Sequence, residues 1–170
     1  MYQIDFNHPA NVYFIGIGGI SMSGFAQLLH DYGFQVHGSD AHESKITDHL
    51  ESLGIHIIYG QSKENITGDI DFVVYTAAIH PDNPEFKAAK ELGLPMMERA
   101  EMVGQVMKNY QNAIAISGTH GKTTTTSMVS HIFLEAQKDP TISVGGILKV
   151  IDGNIRVGHS QAVSYTHLRA

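Results

Sequence analysis

Short apolar runs alternate with amphipathic segments along residues 1–110. Runs rich in apolar and β-branched residues predict strands at 12–16, 34–38, 55–59, 71–76 and 95–97. Apolar positions at helical spacing predict helices at 20–31, 44–53, 84–92 and 99–108. Strand–helix alternation on this rhythm is typical of a parallel sheet covered by helices, so we predict an α/β domain over residues 1–110.

A further strand and helix follow this domain. The apolar run at 113–117 predicts a buried strand, the glycine-rich stretch at 118–124 a loop, and the apolar spacing at 128–136 a helix. Residues 141–150 have the composition of extended chain. Because these elements are too few to close a nucleotide-binding sheet, we interpret residues 111–160 as the truncated start of a second α/β domain.

The composition is that of an ordinary globular protein and excludes several classes of function. Hydrophobic residues make up 42% of the chain, charged residues 16%, and the net charge is −6. Lysine and arginine are scattered, so neither nucleic acid nor an anionic membrane is an expected partner. The absence of cysteine excludes disulfides and thiolate chemistry, and no apolar segment has the ~20 residues of a membrane span. We therefore expect a cytoplasmic protein.

The stretch Gly118–Thr124, called here the second glycine loop, carries the most specific chemistry in the chain. A strand, a glycine-rich turn and a helix N-terminus together present backbone N–H groups and a helix dipole to an anion. Lys122 adds a mobile cation for the β- and γ-phosphates of a nucleotide, and the Thr123 hydroxyl can ligate Mg²⁺. The general phosphate-loop pattern has glycine where this chain has Ile116, so the tighter spacing here describes a narrower class.

Another glycine-rich turn, Gly16–Gly19, follows the first predicted strand and is called here the first glycine loop. It resembles the dinucleotide fingerprint G-x-G-x-x-G of Rossmann-like domains, and Asp40 lies about twenty residues on, where a ribose-binding acid is expected. Ser21 occupies the position of the third glycine. The loop therefore predicts close backbone approach to a phosphate or pyrophosphate, without deciding which nucleotide carries it.

Several phrases together resemble the Mur ligases, the ATP-dependent amide-forming enzymes of peptidoglycan assembly. The second glycine loop is similar to theirs, and further phrases occur in family order between residues 12 and 159. Those phrases are Gly16-Ile17-Gly18-Gly19, Gly38-Ser39-Asp40, Asp82-Asn83-Pro84-Glu85, Arg99-Ala100-Glu101, Asp139-Pro140-Thr141 and Gly145-Gly146. The resemblance implies a Rossmann-like N-terminal domain that holds a UDP moiety. An ATP-binding domain and a C-terminal domain that helps bind an amino acid would follow it.

Within the family, the phrases around Arg99 and Asp139 favour the activity that joins L-alanine to UDP-N-acetylmuramate. The resemblance implies that ATP and Mg²⁺ activate the lactyl carboxylate as an acyl phosphate, which the amine of L-alanine then attacks. It implies catalytic roles for Lys122 and Thr123, with Thr123 also a ligand of Mg²⁺. The implied ATP site consists of Gly118, Thr119, His120, Gly121, Lys122, Thr123 and Thr124. The implied UDP-sugar site consists of Gly16, Ile17, Gly18, Gly19, Ser39, Asp40, Thr76 and Ala77.

The end of the chain departs from the family pattern. After Ser160 the relatives would continue into a strand and an acidic phrase that helps bind Mg²⁺, and residues 161–170 match neither. We interpret residues 161–170 as a non-native tail and leave them out of the predicted fold. Because most of the ATP domain and all of the amino-acid domain would be missing, we expect the 170 residues of this chain to be inactive as a ligase on their own.

Two alternatives stay open at this point. A related Mur-type ligase that acts on a recycled tripeptide shares the Gly-Thr-His-Gly-Lys loop. From another class, the alternative is a module that binds NAD or UDP without ligase activity, with Asp40 contacting a ribose. Ser21 in place of the third glycine, together with the second glycine loop, weighs against NAD. The sequence determines neither the acceptor amino acid nor the oligomeric state.

Overall fold

The computed structural model describes residues 2–166 and divides into two compact units, with the division between Val106 and Met107. The sequence instead predicts a boundary after residue 110. Each unit contains its own sheet. Among residues 2–166, no helix is long and apolar enough to cross a membrane.

The first unit is built on a five-stranded sheet. Its strands are β1 (Asn11–Ile15), β2 (Gln35–Asp40), β3 (His56–Tyr59), β4 (Phe72–Tyr75) and β5 (Met96–Glu98). They lie in the order β3-β2-β1-β4-β5, and every neighbouring pair is parallel. The predicted α/β fold with a Rossmann-like parallel sheet is thus confirmed, with strand ends within two residues of those expected.

Four α-helices follow strands of this sheet, and local sequence sets where they begin. They are α1 (Ile20–Asp31), α2 (Lys45–Ser52), α3 (Pro84–Glu91) and α4 (Arg99–Met107). A capping box between Ser44 and Thr47 starts α2, because each hydroxyl accepts the backbone N–H of the other residue. The side chain of Asn83 caps α3, and proline occupies the first helical position. In contrast, α1 begins after Gly19 without a side-chain cap.

The central strand β1 carries much of the core of the first unit. Val12, Tyr13, Phe14 and Ile15 are all 0% exposed, so both faces of the strand are covered, as in parallel sheets wrapped by helices. Gly38 in β2 lies opposite Phe14. A Cβ atom built on Gly38 would collide with the Phe14 carbonyl oxygen. The two backbones therefore approach too closely for a side chain at position 38.

The second unit combines a four-stranded sheet with a helix. Its elements are β6 (Asn112–Ile116), α5 (Lys122–Glu135), β7 (Thr141–Leu148), β8 (Gly153–Arg156) and β9 (Ala162–Thr166). The strands lie in the order β6-β9-β7-β8, with β9 parallel to both β6 and β7, and β8 antiparallel to β7. The strand, loop, helix and extended segment expected from the sequence are all present in this unit, but the expected burial of the strand was wrong, because four of the five residues of β6 are exposed.

The strand β9 corrects the interpretation of the last segment of the chain. All five of its residues are buried, and it pairs with a strand on each side. Leaving residues 161–170 out of the fold was therefore wrong for Ala162–Thr166. The physical reason is that Val163 and Tyr165 combine strand propensity with apolar surface, and both are buried in the sheet. The non-native origin of the segment stays a prediction, and residues 167–170 lie outside the described residues.

Candidate functional site

The first glycine loop lies at the carboxyl edge of the parallel sheet. Ile15, the last residue of β1, pairs with Ser39 of β2 on one side and with Tyr75 of β4 on the other. The strand order reverses at this point, because β2 lies on one side of β1 and β4 on the other. Ligands of open α/β sheets bind outside the carboxyl ends of the strands at such a reversal. The topology thus brings the loop, Ser39 and Thr76 to one edge.

The start of the first glycine loop is held by the backbone of the neighbouring strand. The N–H groups of Gly16 and Ile17 both donate to the Ser39 carbonyl oxygen, at 2.9 Å each. Gly16 has φ of +80°, a conformation that costs least for glycine. Its carbonyl oxygen accepts the Gly19 N–H at 3.3 Å. The Gly16 and Ile17 amides therefore bond within the protein, whereas the family resemblance assigned them to a diphosphate.

Asp40 lies directly beside the same loop. Its Oδ2 atom accepts the Gly18 N–H at 2.8 Å, and its Oδ1 atom accepts the His42 N–H at 3.3 Å. A Cβ atom built on Gly18 would lie 2.8 Å from Asp40 Oδ2 and 2.9 Å from Thr47 Cγ2. Close packing thus requires glycine at position 18, and the carboxylate holds an amide that the resemblance assigned to a phosphate.

The carboxylate of Glu85, to which the sequence assigned no role, accepts three hydrogen bonds while it is 0% exposed. Its Oε1 atom accepts from Tyr13 Oη at 2.8 Å and from Asn65 Nδ2 at 2.7 Å. Its Oε2 atom accepts from the Ser39 hydroxyl at 2.6 Å. Burial raises the pKa of Tyr13, and the negative charge of Glu85 acts in the same direction. The sequence signals a helix start at Asn83. This signal does not reveal that Glu85, two residues later, is buried.

Thr76 and Ala77 form a turn at the same edge, directly after β4. The Thr76 hydroxyl oxygen accepts the Ala78 N–H at 3.2 Å, and its carbonyl oxygen accepts the Ile79 N–H at 3.0 Å. Thr76 is half-buried and Ala77 is exposed. The Ile79 Cδ1 atom lies 3.8 Å from a Cβ built on Gly16. The turn therefore packs close to the first glycine loop, and Ala77 is open to solvent there.

The second glycine loop joins β6 to α5. Gly121 precedes the helix with φ of +77°, in the left-handed region that favours glycine. The Lys122 ammonium donates to the Gly118 carbonyl oxygen at 2.5 Å and to the Thr119 carbonyl oxygen at 3.2 Å. Thr119 and His120 are exposed. An accessible backbone loop with a cation inside it, at a helix N-terminus, fits the phosphates of a nucleotide.

The first turn of α5 places Thr123 and Thr124 at the surface. The Thr123 Cγ2 atom lies 3.5 Å from a Cβ built on Gly146 of β7. On the next turn, the buried Thr126 hydroxyl oxygen accepts from the Thr166 hydroxyl of β9 at 2.9 Å. An exposed hydroxyl at this position suits a Mg²⁺ ion that binds together with a nucleotide. The start of α5 thus contacts the sheet through Thr126, whereas Thr123 and Thr124 are exposed to solvent.

The phrase at 139–141 organises a turn of the second unit, although the sequence assigned it no site role. The Asp139 carboxylate accepts the His159 N–H at 2.9 Å and an Arg156 guanidinium N–H at 2.5 Å. These hydrogen bonds lower the pKa of Asp139, the His159 amide most of all. A Cβ atom built on Gly158 would collide with the Asp139 carbonyl oxygen. The phrase therefore holds the chain that leads into β9.

Comparison with known proteins assigns this arrangement to a family. Residues 11–111 match the model of the Mur ligase family, catalytic domain. The chain is 63% identical over 161 residues to the UDP-N-acetylmuramate–L-alanine ligase of Agathobacter rectalis. This alignment covers 95% of this chain and 35% of that protein. It is 64% identical over 161 residues to the ligase of the same name from Lachnoclostridium phytofermentans, which covers 95% and 34%. The chain spans about a third of the length of these relatives.

Solved structures show the same relationship. The UDP-N-acetylmuramate–alanine ligase of Thermotoga maritima aligns with a TM-score of 0.82 and 37% identity, covering 92% of this chain and 36% of that one. A UDP-N-acetylmuramate:L-alanyl-γ-D-glutamyl-meso-diaminopimelate ligase from Neisseria meningitides aligns with a TM-score of 0.81 and 26% identity, covering 92% and 52%. Since the family model matches more than half of the residues, the chain belongs to the Mur ligase family.

Proposed function

We propose that the chain is the N-terminal part of an ATP-dependent ligase that joins L-alanine to UDP-N-acetylmuramate through an acyl phosphate in peptidoglycan biosynthesis. The observation that carries this proposal is the pair of glycine loops, each between a strand and a helix and each in a unit with its own sheet. Relatives at 63% and 64% identity bear the name of that ligase. The tripeptide-type structure is 26% identical, which favours L-alanine as the acceptor.

In this proposal the first unit binds the UDP-sugar. The first glycine loop lies against the diphosphate, at the position where the strand order reverses. Asp40 holds Gly18 with one carboxylate oxygen, and its remaining lone pairs suit a ribose or sugar hydroxyl. The exposed Ala77 and the Thr76 turn border the same edge. Ser39 contributes through the loop, because its side chain is buried.

The second unit then binds the phosphates of ATP. Lys122 lies inside the second glycine loop, which supports a role of its ammonium in neutralising charge on the β- and γ-phosphates. The exposed Thr123 hydroxyl would be the ligand of Mg²⁺ that this chain supplies. When bound, ATP with Mg²⁺ supplies the phosphoryl group that activates the carboxylate. The residues of the loop act by positioning and by charge neutralisation.

We place this ligase in the cytoplasm. Both proposed nucleotide substrates are soluble anions, and the chain contains no cysteine that would form a disulfide in an oxidising compartment. Fractionation of cells that produce the full-length protein checks this, and recovery with the membrane fraction would contradict it.

Titration calorimetry on the 170-residue chain tests the nucleotide assignment. We expect UDP-N-acetylmuramate to bind and NAD not to bind. Gly18→Val should abolish binding of the UDP-sugar, because a branched side chain would collide with Asp40 and Thr47. Gly68→Ala is the control, since nothing lies within 4 Å of a Cβ atom at that position. Tighter binding of NAD than of the UDP-sugar would replace the ligase proposal with a dinucleotide-binding module.

A further inference from the structure

The buried carboxylate of Glu85 has no cationic partner in the part of the chain that the structure describes. Among residues 2–166, no lysine, arginine or histidine forms an ion pair with it. Its charge is compensated by three hydrogen-bond donors and by its position as the second residue of α3, where a helix favours negative charge. A buried charge of this kind is a poor source of stability, because its desolvation cost offsets most of the gain. Its presence therefore calls for a role other than stability.

The three donors connect Glu85 to different parts of the unit. Tyr13 and Asn65 share its Oε1 atom, whereas the Ser39 hydroxyl alone among them binds Oε2. Ser39 is the residue whose carbonyl oxygen accepts both the Gly16 and the Ile17 N–H groups. One residue thus joins the buried carboxylate, through its side chain, to the first glycine loop, through its backbone.

We propose that Glu85 is a positioning residue for the first glycine loop. It holds the Ser39 side chain, and Ser39 in turn holds the turn of backbone that meets the diphosphate of a nucleotide sugar. The identity of that ligand rests on the proposed function. Glu85 itself is 0% exposed and makes no contact with the ligand. Its effect reaches the ligand through the position of the loop, which the Gly16 and Ile17 amides anchor to the Ser39 carbonyl oxygen.

Three variants of the 170-residue chain separate this role from simple support of the fold. Glu85→Gln keeps the shape of the side chain and removes its charge. Ser39→Ala removes the hydroxyl and keeps the carbonyl group that the loop uses. Asn65→Ala is the matched control, because it also removes a donor to the same carboxylate, on the oxygen that does not contact Ser39.

Two measurements are made on each variant. The first is amide hydrogen exchange of Gly16 and Ile17, taken relative to the strand amides of β1 so that loss of global stability cancels. The second is the dissociation constant of UDP-N-acetylmuramate by calorimetry. We expect Glu85→Gln and Ser39→Ala to accelerate exchange of the two loop amides and to weaken binding about tenfold, as expected for loss of a hydrogen bond to a charged group. Asn65→Ala should change neither quantity beyond about twofold.

The outcomes distinguish the positioning role from the proposed ligand. If the Gly16 and Ile17 amides exchange no faster in Glu85→Gln and Ser39→Ala than in Asn65→Ala, the positioning role is overturned. If Glu85→Gln does not fold, Ser39→Ala decides the same question with a smaller change. If the unaltered chain fails to bind the UDP-sugar, the proposed function fails, while faster exchange of the loop amides still supports the role of Glu85.

Discussion

Both glycine loops connect a strand to a helix, but different contacts hold the two loops in place. The first is held from the neighbouring strand, by the Ser39 carbonyl group and the Asp40 carboxylate, and it follows a strand whose last four residues are fully buried. The second contains its own cation, since Lys122 donates to carbonyl groups of the loop itself. The strand before it, β6, is exposed at four of its five residues.

This difference shows where the geometry of each loop originates. The partner that holds Gly18 is 22 residues away in the chain, whereas the carbonyl groups that Lys122 contacts are three and four residues away. The first loop therefore depends on how two strands pack, and the second depends on its own sequence. Substitutions in the sheet should disturb the first loop, and substitutions within the loop should disturb the second.

The largest expected effect comes from Lys122→Ala in the full-length ligase. If Lys122 neutralises phosphate charge as proposed, loss of its ammonium should lower the rate of ligation by about 10³-fold or more. Binding of UDP-N-acetylmuramate should stay within about twofold, because the first loop belongs to the other unit. Phosphate release in the presence of ATP, Mg²⁺, UDP-N-acetylmuramate and L-alanine measures the rate. The exposed Lys138→Ala is the control, and near-normal turnover of Lys122→Ala would refute its role.

The next effect concerns stability of the sheet that supports the first loop. Gly38→Ala should lower the free energy of unfolding of the first unit by about 3 kcal/mol, because the added methyl group meets the Phe14 carbonyl oxygen and the strands must separate. Gly104→Ala is the control, since nothing lies within 4 Å of a Cβ atom there and alanine favours the helix. Urea unfolding followed by amide NMR signals measures both, and equal stability of the two variants would contradict the close approach.

A smaller effect is expected from the corresponding change in the second loop. Gly121→Ala should destabilise the second unit by about 1 kcal/mol, because φ of +77° strains any residue with a Cβ atom. The cost is local, since nothing lies within 4 Å of the added methyl group. Gly146→Ala in the same unit, where the contact is an ordinary one at 3.5 Å, serves as the comparison. A larger loss for Gly146→Ala than for Gly121→Ala would show that packing, rather than backbone conformation, limits this unit.

The smallest effect is a difference in response to acid. The His37 Nε2 atom is buried without a hydrogen-bond partner among residues 2–166, and burial lowers the pKa of His37 below 6.5. The unfolded chain then binds the proton more readily, so this contribution to stability is present above pH 6.5 and is lost as the pH falls toward the folded-state pKa. In the second unit, the lowered pKa of Asp139 gives stability that is lost only below pH 3.8.

Unfolding of the first unit between about pH 7 and pH 5 checks this expectation. His37→Gln should flatten the decline in stability, whereas the exposed His49→Gln should leave it unchanged. An identical decline in the His37→Gln variant would assign the acid sensitivity to other groups.

Much of the first unit could be read from the sequence, because its elements repeat a local pattern. Buried strands appear as short apolar runs and helices as apolar positions at helical spacing, so all five strands were expected within two residues of where they lie. The strand β9 could not be read in this way. Ser164 and Thr166 interrupt its apolar character, yet both are buried, and the Thr166 hydroxyl contacts Thr126 of α5. That environment exists only once the sheet has formed.

By itself, the sequence determined the order of strands and helices along the first unit, the positions of both glycine loops and the resemblance to the Mur ligases. Only the tertiary structure decided that Ser39 and Asp40 hold the first loop and that Glu85 is buried against Ser39. These contacts join residues 22 and 46 positions apart in the chain. Apolar periodicity records which face of an element is buried, but it does not record which polar groups meet inside. Those pairings form because most buried donors and acceptors find a partner when distant strands become neighbours.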